Sequence, residues 1–347
     1  MGCNTIDNHL QGWLPGRCGS CSGGGGQCSG WGLPQGQDGV KSPPMTVTSP
    51  PAEETAASRS FSLMIFLLLI LVWGLLWPFM KIAVAEMSVL SFRAISSVLA
   101  ALMMLIITRI AGHSLRVPRD HWVPLIIAGL FNVGAWLYLS AVGVTLIEAG
   151  RASLIAYTMP VWAFLMGIPL LGEKVTRWRI LGLVLAMAGL AVLMGDEVRR
   201  LGEAPLGAMV MVAASLCFAF GTVWQKYNTW RVPHLTVMSW QMVVGATPIT
   251  LLAIPDLLAL QPVSWQATAA TLYAGMIAQV FGVAAYLWLV KRLPVKTASL
   301  SVMLVPLVGL GSSAILLGEP LGLPELLATG LILGAIATVF PKDGPKS

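Results

Sequence analysis

Apolar residues run through this chain in long blocks, each closed by a short polar stretch. Ten such blocks stand at residues 61–80, 88–110, 121–144, 148–171, 178–195, 206–227, 235–254, 265–290, 297–318 and 322–340. A helix rises 1.5 Å per residue, so about 20 apolar residues span the hydrocarbon layer of a bilayer. Each block is therefore predicted as a membrane-crossing helix. The fifth and tenth are short for a crossing. The seventh is the weakest as a helix, bounded by Pro233 and Pro255 and interrupted by Pro248. No block alternates apolar and polar residues as the strands of a membrane barrel do.

Composition agrees with the pattern. Hydrophobic residues make up 56 % of the 347 and charged residues only 10 %, against roughly 25 % charged in soluble domains. Such a chain cannot cover a water-facing surface, which excludes a soluble enzyme. The net charge of +6 matters less than where the charges sit. One set of loops carries Arg109, Arg116, Arg119, Lys174, Arg177, Arg179, Lys226, Arg231, Lys291, Arg292, Lys296, Lys342 and Lys346. The opposite set carries Lys81, Arg93, Arg151, Arg199 and Arg200. The positive-inside rule places the richer set, and with it both termini, in the cytoplasm.

Residues 1–58 differ. They are rich in Gly, Pro and Ser, lack an apolar run, and are expected to be a disordered tail. Cys18 and Cys21 have metal-ligand spacing and Cys28 lies near, but a structural zinc needs four well-spaced ligands. The alternative is that residues 1–44 stem from a misplaced translation start, with Met45 opening a more ordinary lead-in. Cys217, inside an apolar block, reads as packing.

The two halves of the membrane part repeat. Ala152-Ser153-Leu154 recurs as Ala298-Ser299-Leu300, Pro160 as Pro306, and Leu170-Leu171-Gly172-Glu173 as Leu316-Leu317-Gly318-Glu319, all at an offset of 146. More loosely, Ser91-Phe92-Arg93 parallels Ser239-Trp240-Gln241, Asn132 parallels Gln279, and Lys81 parallels Lys226. Five blocks per half is an odd number, so the second half must enter the membrane from the opposite side. The predicted fold is an all-α integral membrane protein of ten transmembrane helices, built as two inverted five-helix repeats at 61–195 and 206–340. Inverted repeats are a recurrent device of secondary transporters, whose halves rock about a site between them.

The chain resembles the EamA family of the drug/metabolite transporter superfamily. The likeness rests on Trp73-Gly74 with Lys81 closing the first block, on Arg93 in the second, on the stretch from Glu148 to Trp162, and on the paired Leu-Gly-Glu motifs. It covers residues 61–340. The resemblance implies an inner-membrane carrier, commonly an exporter of amino acids, other metabolites or drugs.

A carrier needs a polar or aromatic cavity, and mid-span polar groups should face it or another helix, because lipid penalises them. Residues four apart share a helix face. By that spacing Trp73 and Trp77 are candidate substrate contacts on the first block, with Phe218 and Thr222 as their counterparts on the sixth. Asn132 and Trp136 follow on the third, in line with Ser140, then Tyr157 beside Ser153 on the fourth, and Gln279 and Tyr286 on the eighth. Aromatic walls suit an organic substrate and can hold an ammonium group. Each residue also has a plainer reading, as glue between helices or an interfacial anchor, and the latter is applied to Trp122, Trp178 and Trp265. Pro160 and Pro306 are expected to kink their helices, either as a hinge or to fit the curvature of the bundle. Gly172, Glu173, Gly318 and Glu319 are expected to be structural, the carboxylates pairing with loop cations such as Lys174 or capping a neighbouring helix.

No Asp, Glu or His stands mid-block as a proton relay would; Glu148 and Arg151 are the nearest candidates, though they can pair one turn apart. No nucleotide-binding loop is present, and no cofactor or metal is expected. The expected partners are a small-molecule substrate and the lipid bilayer, not nucleic acid. A membrane-embedded enzyme would want clustered His and carboxylates, and the four His are scattered. A non-transporting accessory or sensor protein on the same fold is the other alternative. Substrate, direction, coupling ion and the choice between monomer and homodimer stay open at this level.

Overall fold

The computed structural model describes residues 56–172, 175–201, 205–292 and 295–339, all within one compact unit, Glu53–Ser347. The expectations for residues 1–44, the Cys18/Cys21 pair, Glu173 and Lys174 lie outside the described residues. Helix starts at Ala56, so the predicted tail overlaps the first helix at its last residues.

Every regular element among the described residues is helical. The α-helices are α1 (Ala56–Glu86), α2 (Val89–Ile110), α3 (Trp122–Ala128), α4 (Trp136–Leu146), α5 (Ala149–Ala156), α6 (Met159–Leu171), α7 (Arg177–Leu201), α8 (Leu206–Tyr227), α9 (His234–Leu258), α10 (Trp265–Leu272), α11 (Gly282–Arg292), α12 (Val295–Leu317) and α13 (Leu323–Val339). Seven helical stretches are long and apolar enough to cross a membrane: Phe61–Glu86, Val89–Ile110, Arg119–Leu146, Ala149–Leu171, Leu206–Tyr227, His234–Leu258 and Trp265–Tyr286. Shorter apolar helices stand at Ile180–Gly195, Leu304–Leu317 and Leu323–Thr338, so the fifth and tenth blocks are short as predicted. The seventh is stronger than predicted, because α9 runs unbroken through Pro248 and Pro255.

Two blocks predicted as single helices are not regular. A π-helical segment, Gly129–Ala135, joins α3 to α4, and a second, Tyr273–Phe281, joins α10 to α11. A π turn bonds i to i+5, which widens the helix and leaves backbone groups to be satisfied from outside. One such carbonyl is met by a neighbour, and side chains of both segments bond across to other helices. Trp73 Nε1 donates to Ala278 O at 3.0 Å and Tyr273 Oη to Val72 O at 2.9 Å, tying the second π segment to α1. Asn132 Nδ2 donates to Phe218 O at 3.3 Å and to Thr222 Oγ1 at 2.9 Å, tying the first to α8.

The prolines and glycines of the repeat also resolve. The fourth block breaks at Tyr157-Thr158, and Pro160 opens α6, where its missing N–H is not needed. Pro306 differs: α12 continues through it. Gly172 and Gly318 adopt left-handed φ of 64° and 68° at the ends of α6 and α12, the conformation that stops a helix and that only glycine adopts without strain. Glu319, one residue on, accepts from Ala149 N at 2.7 Å and Gly150 N at 2.9 Å, capping α5 across the bundle. Lys81 does not close the first helix, which runs on to Glu86; its Nζ donates to Val144 O and Ile147 O and caps the end of α4.

Helices pack through small residues, as expected where lipid offers no hydrophobic drive for association. The most extensive pairings are α2 with α9, α7 with α13, and α1 with α12, and α8 packs along both α4 and α6. Gly245 and Gly134 bring α9 onto the first π segment, and Gly275 sets the second π segment on Ser96 of α2. A Cβ at Gly275 would stand 2.6 Å from Ser96 O. Gly275→Val is therefore expected to destabilise the fold by about 1–3 kcal/mol through overpacking. Gly330→Ala, inside α13 with nothing within 4 Å of the added carbon, should not destabilise and can gain up to about 1 kcal/mol of helix propensity. Unfolding temperatures of the two purified variants test the contrast.

Candidate functional site

A cavity of about 270 Å³ opens in the middle of the bundle. Its walls come from α1, α2, the first π segment, α4, the Tyr157–Met159 break, α8, α9, the second π segment and α11. Both halves of the chain therefore build it.

Of the predicted contacts, Trp73, Trp77, Asn132, Trp136, Tyr157, Phe218, Gln279 and Tyr286 all line this cavity. Thr222 does not. It is exposed, bonds its own helix at Phe218 O, and serves as acceptor for Asn132. Four-residue spacing placed it on the right flank of α8 but one turn too far along. Ser153 is buried away from the cavity, with its hydroxyl on Gly150 O.

The aromatic wall is made of matched pairs. Trp73 of α1 meets Tyr286 of α11 with ring centroids 5.7 Å apart, and Phe218 of α8 meets Trp136 of α4 at 5.1 Å. Rings at these separations hold one another rigid. Met80, Met104, Met159, Met238 and Met242 also line the cavity. Thioether chains have several rotatable bonds and adapt to varied shapes, so the lining combines rigid rings with compliant chains.

The polar groups are few and deeply set. Arg93 is 1 % exposed, Gln241 2 % and Gln279 8 %. Arg93 Nη2 donates to Ser140 Oγ at 2.9 Å and touches Met80 Sδ at 2.8 Å. Its Nε and Nη1 have no partner, nor do Gln241 Nε2 or Gln279 Nε2 and Oε1. Buried polar atoms left unpaired are costly, which marks these groups as candidates for contact with water or a bound molecule. Sequence reasoning missed Arg93 and Gln241 as cavity residues and counted Arg93 with the loop charges. Two signals pointed to them: a charge inside an apolar block, and their equivalent places in the repeat.

A second charged cluster lies at the α5 end of the bundle. Arg151 pairs with Glu148 at 3.5 Å, as its spacing suggested. Its main partner is Glu325 of α13, which accepts from Arg151 Nε at 2.8 Å with both side chains buried. Glu325 Oε2 also accepts from Gly322 N at 2.8 Å. None of Arg151, Glu148 and Glu325 lines the cavity. Among the described residues no group of three or more His, Cys, Asp or Glu is placed to hold a metal ion.

Comparison with known proteins adds to this geometry. The chain is 24 % identical over 268 residues to the uncharacterized transporter YoaV of Bacillus subtilis, covering 77 % of this chain and 90 % of that one. A probable amino-acid metabolite efflux pump of Salmonella typhimurium is 27 % identical over 281 residues, 78 % of this chain and 91 % of its own. A probable terminal-alkyne amino-acid exporter of Streptantibioticus cattleyicolor is 31 % identical over 225 residues, 63 % and 73 % of the two chains. A solved crystal structure, 20 % identical, superposes with a TM-score of 0.55 over 81 % of this chain and 98 % of that one, a likeness of fold. The model of the EamA-like transporter family matches twice, over residues 60–195 and 205–340. A helical membrane bundle with a cavity shared by its two halves, matched in each half by that model, makes this chain a member of the EamA-like transporter family.

Proposed function

We propose that the chain is a secondary exporter of small amino-acid-like metabolites, working by alternating access with ten membrane helices arranged as two inverted repeats, 61–195 and 206–340. The observation that carries this reading is the cavity, to which the two halves give equivalent residues: Trp73 and Phe218, Arg93 and Gln241, Asn132 and Gln279. The packing supports the duplication. Under the repeat, the contact of α1 with α12 corresponds to that of α8 with α6, and the pairings α2 with α9 and α7 with α13 map onto themselves. The π segments fall at equivalent places and are clasped by equivalent helices, α8 and α1. Rocking one half against the other would turn the cavity from one face to the other. The names of the amino-acid exporters among the relatives support the substrate class, and its rigid aromatic wall fits a small organic body with an ammonium group.

On this reading the protein sits in the inner or plasma membrane with both termini in the cytoplasm, and the substrate and the bilayer are its partners. The burial of Arg93 and Arg151 removes two of the charges that opposed this orientation. In a background without the natural cysteines, a cysteine at Arg116 should be labelled only from the cytoplasmic side and one at Leu323 only from outside. Both positions are exposed. Labelling of both from one side would overturn the inverted arrangement. Purified protein in liposomes should move labelled amino acids down a gradient; neither chemical turnover of the substrate nor absence of flux fits the proposal.

A further inference from the structure

We infer that Arg93 is the anchor for a carboxylate on the transported molecule, with Gln241 and Gln279 as its neutral hydrogen-bonding partners. This deepens the transport reading and rests on it. The argument begins with charge. A guanidinium does not shed its proton in a protein, so the interior of the bundle holds a permanent positive charge. The carboxylates with described side chains are engaged elsewhere or stand at helix ends: Glu86 on Ser264, Asp120 on Arg231, Glu148 and Glu325 on Arg151, Asp256 on Ser88, and Glu319 on the α5 backbone. Arg93 has neutral partners only, Ser140 and Met80, with the ring of Phe92 beside its guanidinium. A buried charge without a counter-charge is among the costliest arrangements in a fold.

The unpaired atoms give the chemistry. Around the cavity they are Arg93 Nε and Nη1, Gln241 Nε2, and Gln279 Nε2 and Oε1. All but Gln279 Oε1 are donors, and an excess of donors with one positive charge suits an acceptor carrying one negative charge. A carboxylate has that charge and only acceptor oxygens. A phosphate dianion would leave net negative charge among the methionines and aromatic rings. Apart from Asn132, Ser140 and Tyr157 the remainder of the wall is apolar or aromatic, so the anion should be the head of an organic molecule. Arg93 is pinned by Ser140, and the π segment bearing Gln279 is set on α2 by the close approach of Gly275 to Ser96 and tied to α1 through Trp73.

The test uses the full chain, purified in detergent, and the free amino acids from alanine to tryptophan, each against its own carboxamide. Binding is read from the fluorescence of the cavity tryptophans and from the shift in unfolding temperature. In the wild-type protein at least one amino acid should bind roughly ten- to a hundredfold more tightly than its carboxamide, the range for losing one charge-assisted hydrogen bond. Arg93→Gln should abolish that preference, and Arg93→Lys, which keeps the charge, should retain part of it. Equal binding of acid and amide by the wild type, no binding of any carboxylate, competition by chloride alone, or an undiminished preference in Arg93→Gln would each overturn the inference. The wild-type comparison stands even if a variant fails to fold. The same protein in liposomes separates this inference from the transport reading. Carboxylate-selective binding without flux would sink transport and keep the anchor, whereas flux of amino acids that Arg93→Gln leaves intact would sink the anchor alone.

Discussion

Replacing Glu325 with alanine is expected to destabilise the protein by about 3–5 kcal/mol, the cost of removing one member of a buried ion pair. Glu325 is 1 % exposed and Arg151 4 %. Without Glu325, Arg151 would lose its hydrogen bond at 2.8 Å and keep Glu148 at 3.5 Å, partly in solvent. Gly322 N would lose its acceptor at the start of α13. The pair joins α5 to α13, helices from the two halves of the sequence, so the loss should loosen the packing of α7 and α13 against the rest. Unfolding of the purified protein in detergent measures the effect. The double replacement Arg151→Met with Glu325→Leu should recover most of it, because the cost lies in the charge left behind rather than in the absence of a bond. A single variant as stable as the wild type would show that water reaches Arg151.

Gln279→Leu should move stability and transport in opposite directions. Gln279 is buried with both amide atoms unpaired, so an apolar side chain of similar length removes a desolvation penalty and should raise stability by about 1 kcal/mol. The same change removes a hydrogen-bonding group from the cavity, and flux per inserted molecule should fall about five- to a hundredfold. Asn132→Leu, at the equivalent place, should lower both, because Asn132 is already committed to Phe218 and Thr222. Trp136→Ala should cut flux by removing a rigid wall, whereas Trp122→Leu, which packs on Trp240 outside the cavity, should change it little. A Gln279→Leu protein that is less stable yet transports normally would mean the side chain is a helix contact and not a binding group.

The two glutamines and the asparagine show where sequence reasoning succeeds and stops. Asn132 and Gln279 stood out because each is a polar residue in an apolar block and each has a counterpart in the repeat. That one is bonded by a neighbouring helix and the other is not is a fact about α8 and α1, and no local pattern carries it. Thr222 failed for a related reason. Regular four-residue spacing gave its face on α8, but its height relative to the cavity depends on where the π segment crosses.

The chain's order of apolar blocks, its basic loops and its internal duplication determined by themselves a helical membrane protein with family likeness, because bilayer thickness and the cost of charge in lipid act on each segment locally. They determined too that Gly172 and Gly318 are stop points of a shared motif. Only the tertiary structure decided which faces turn inward. Lipid is as apolar as the interior of a bundle, so a helix such as α1 exposes Leu63, Leu67 and Leu71 while burying Leu69 and Ile70, and hydropathy does not separate the two faces. For the same reason the widened turns at 129–135 and 273–281, the buried guanidinium of Arg93, and the bond from Arg151 to a carboxylate 174 residues away emerge only on folding. Each depends on a neighbouring helix that supplies, or withholds, a partner for a polar group that lipid cannot solvate.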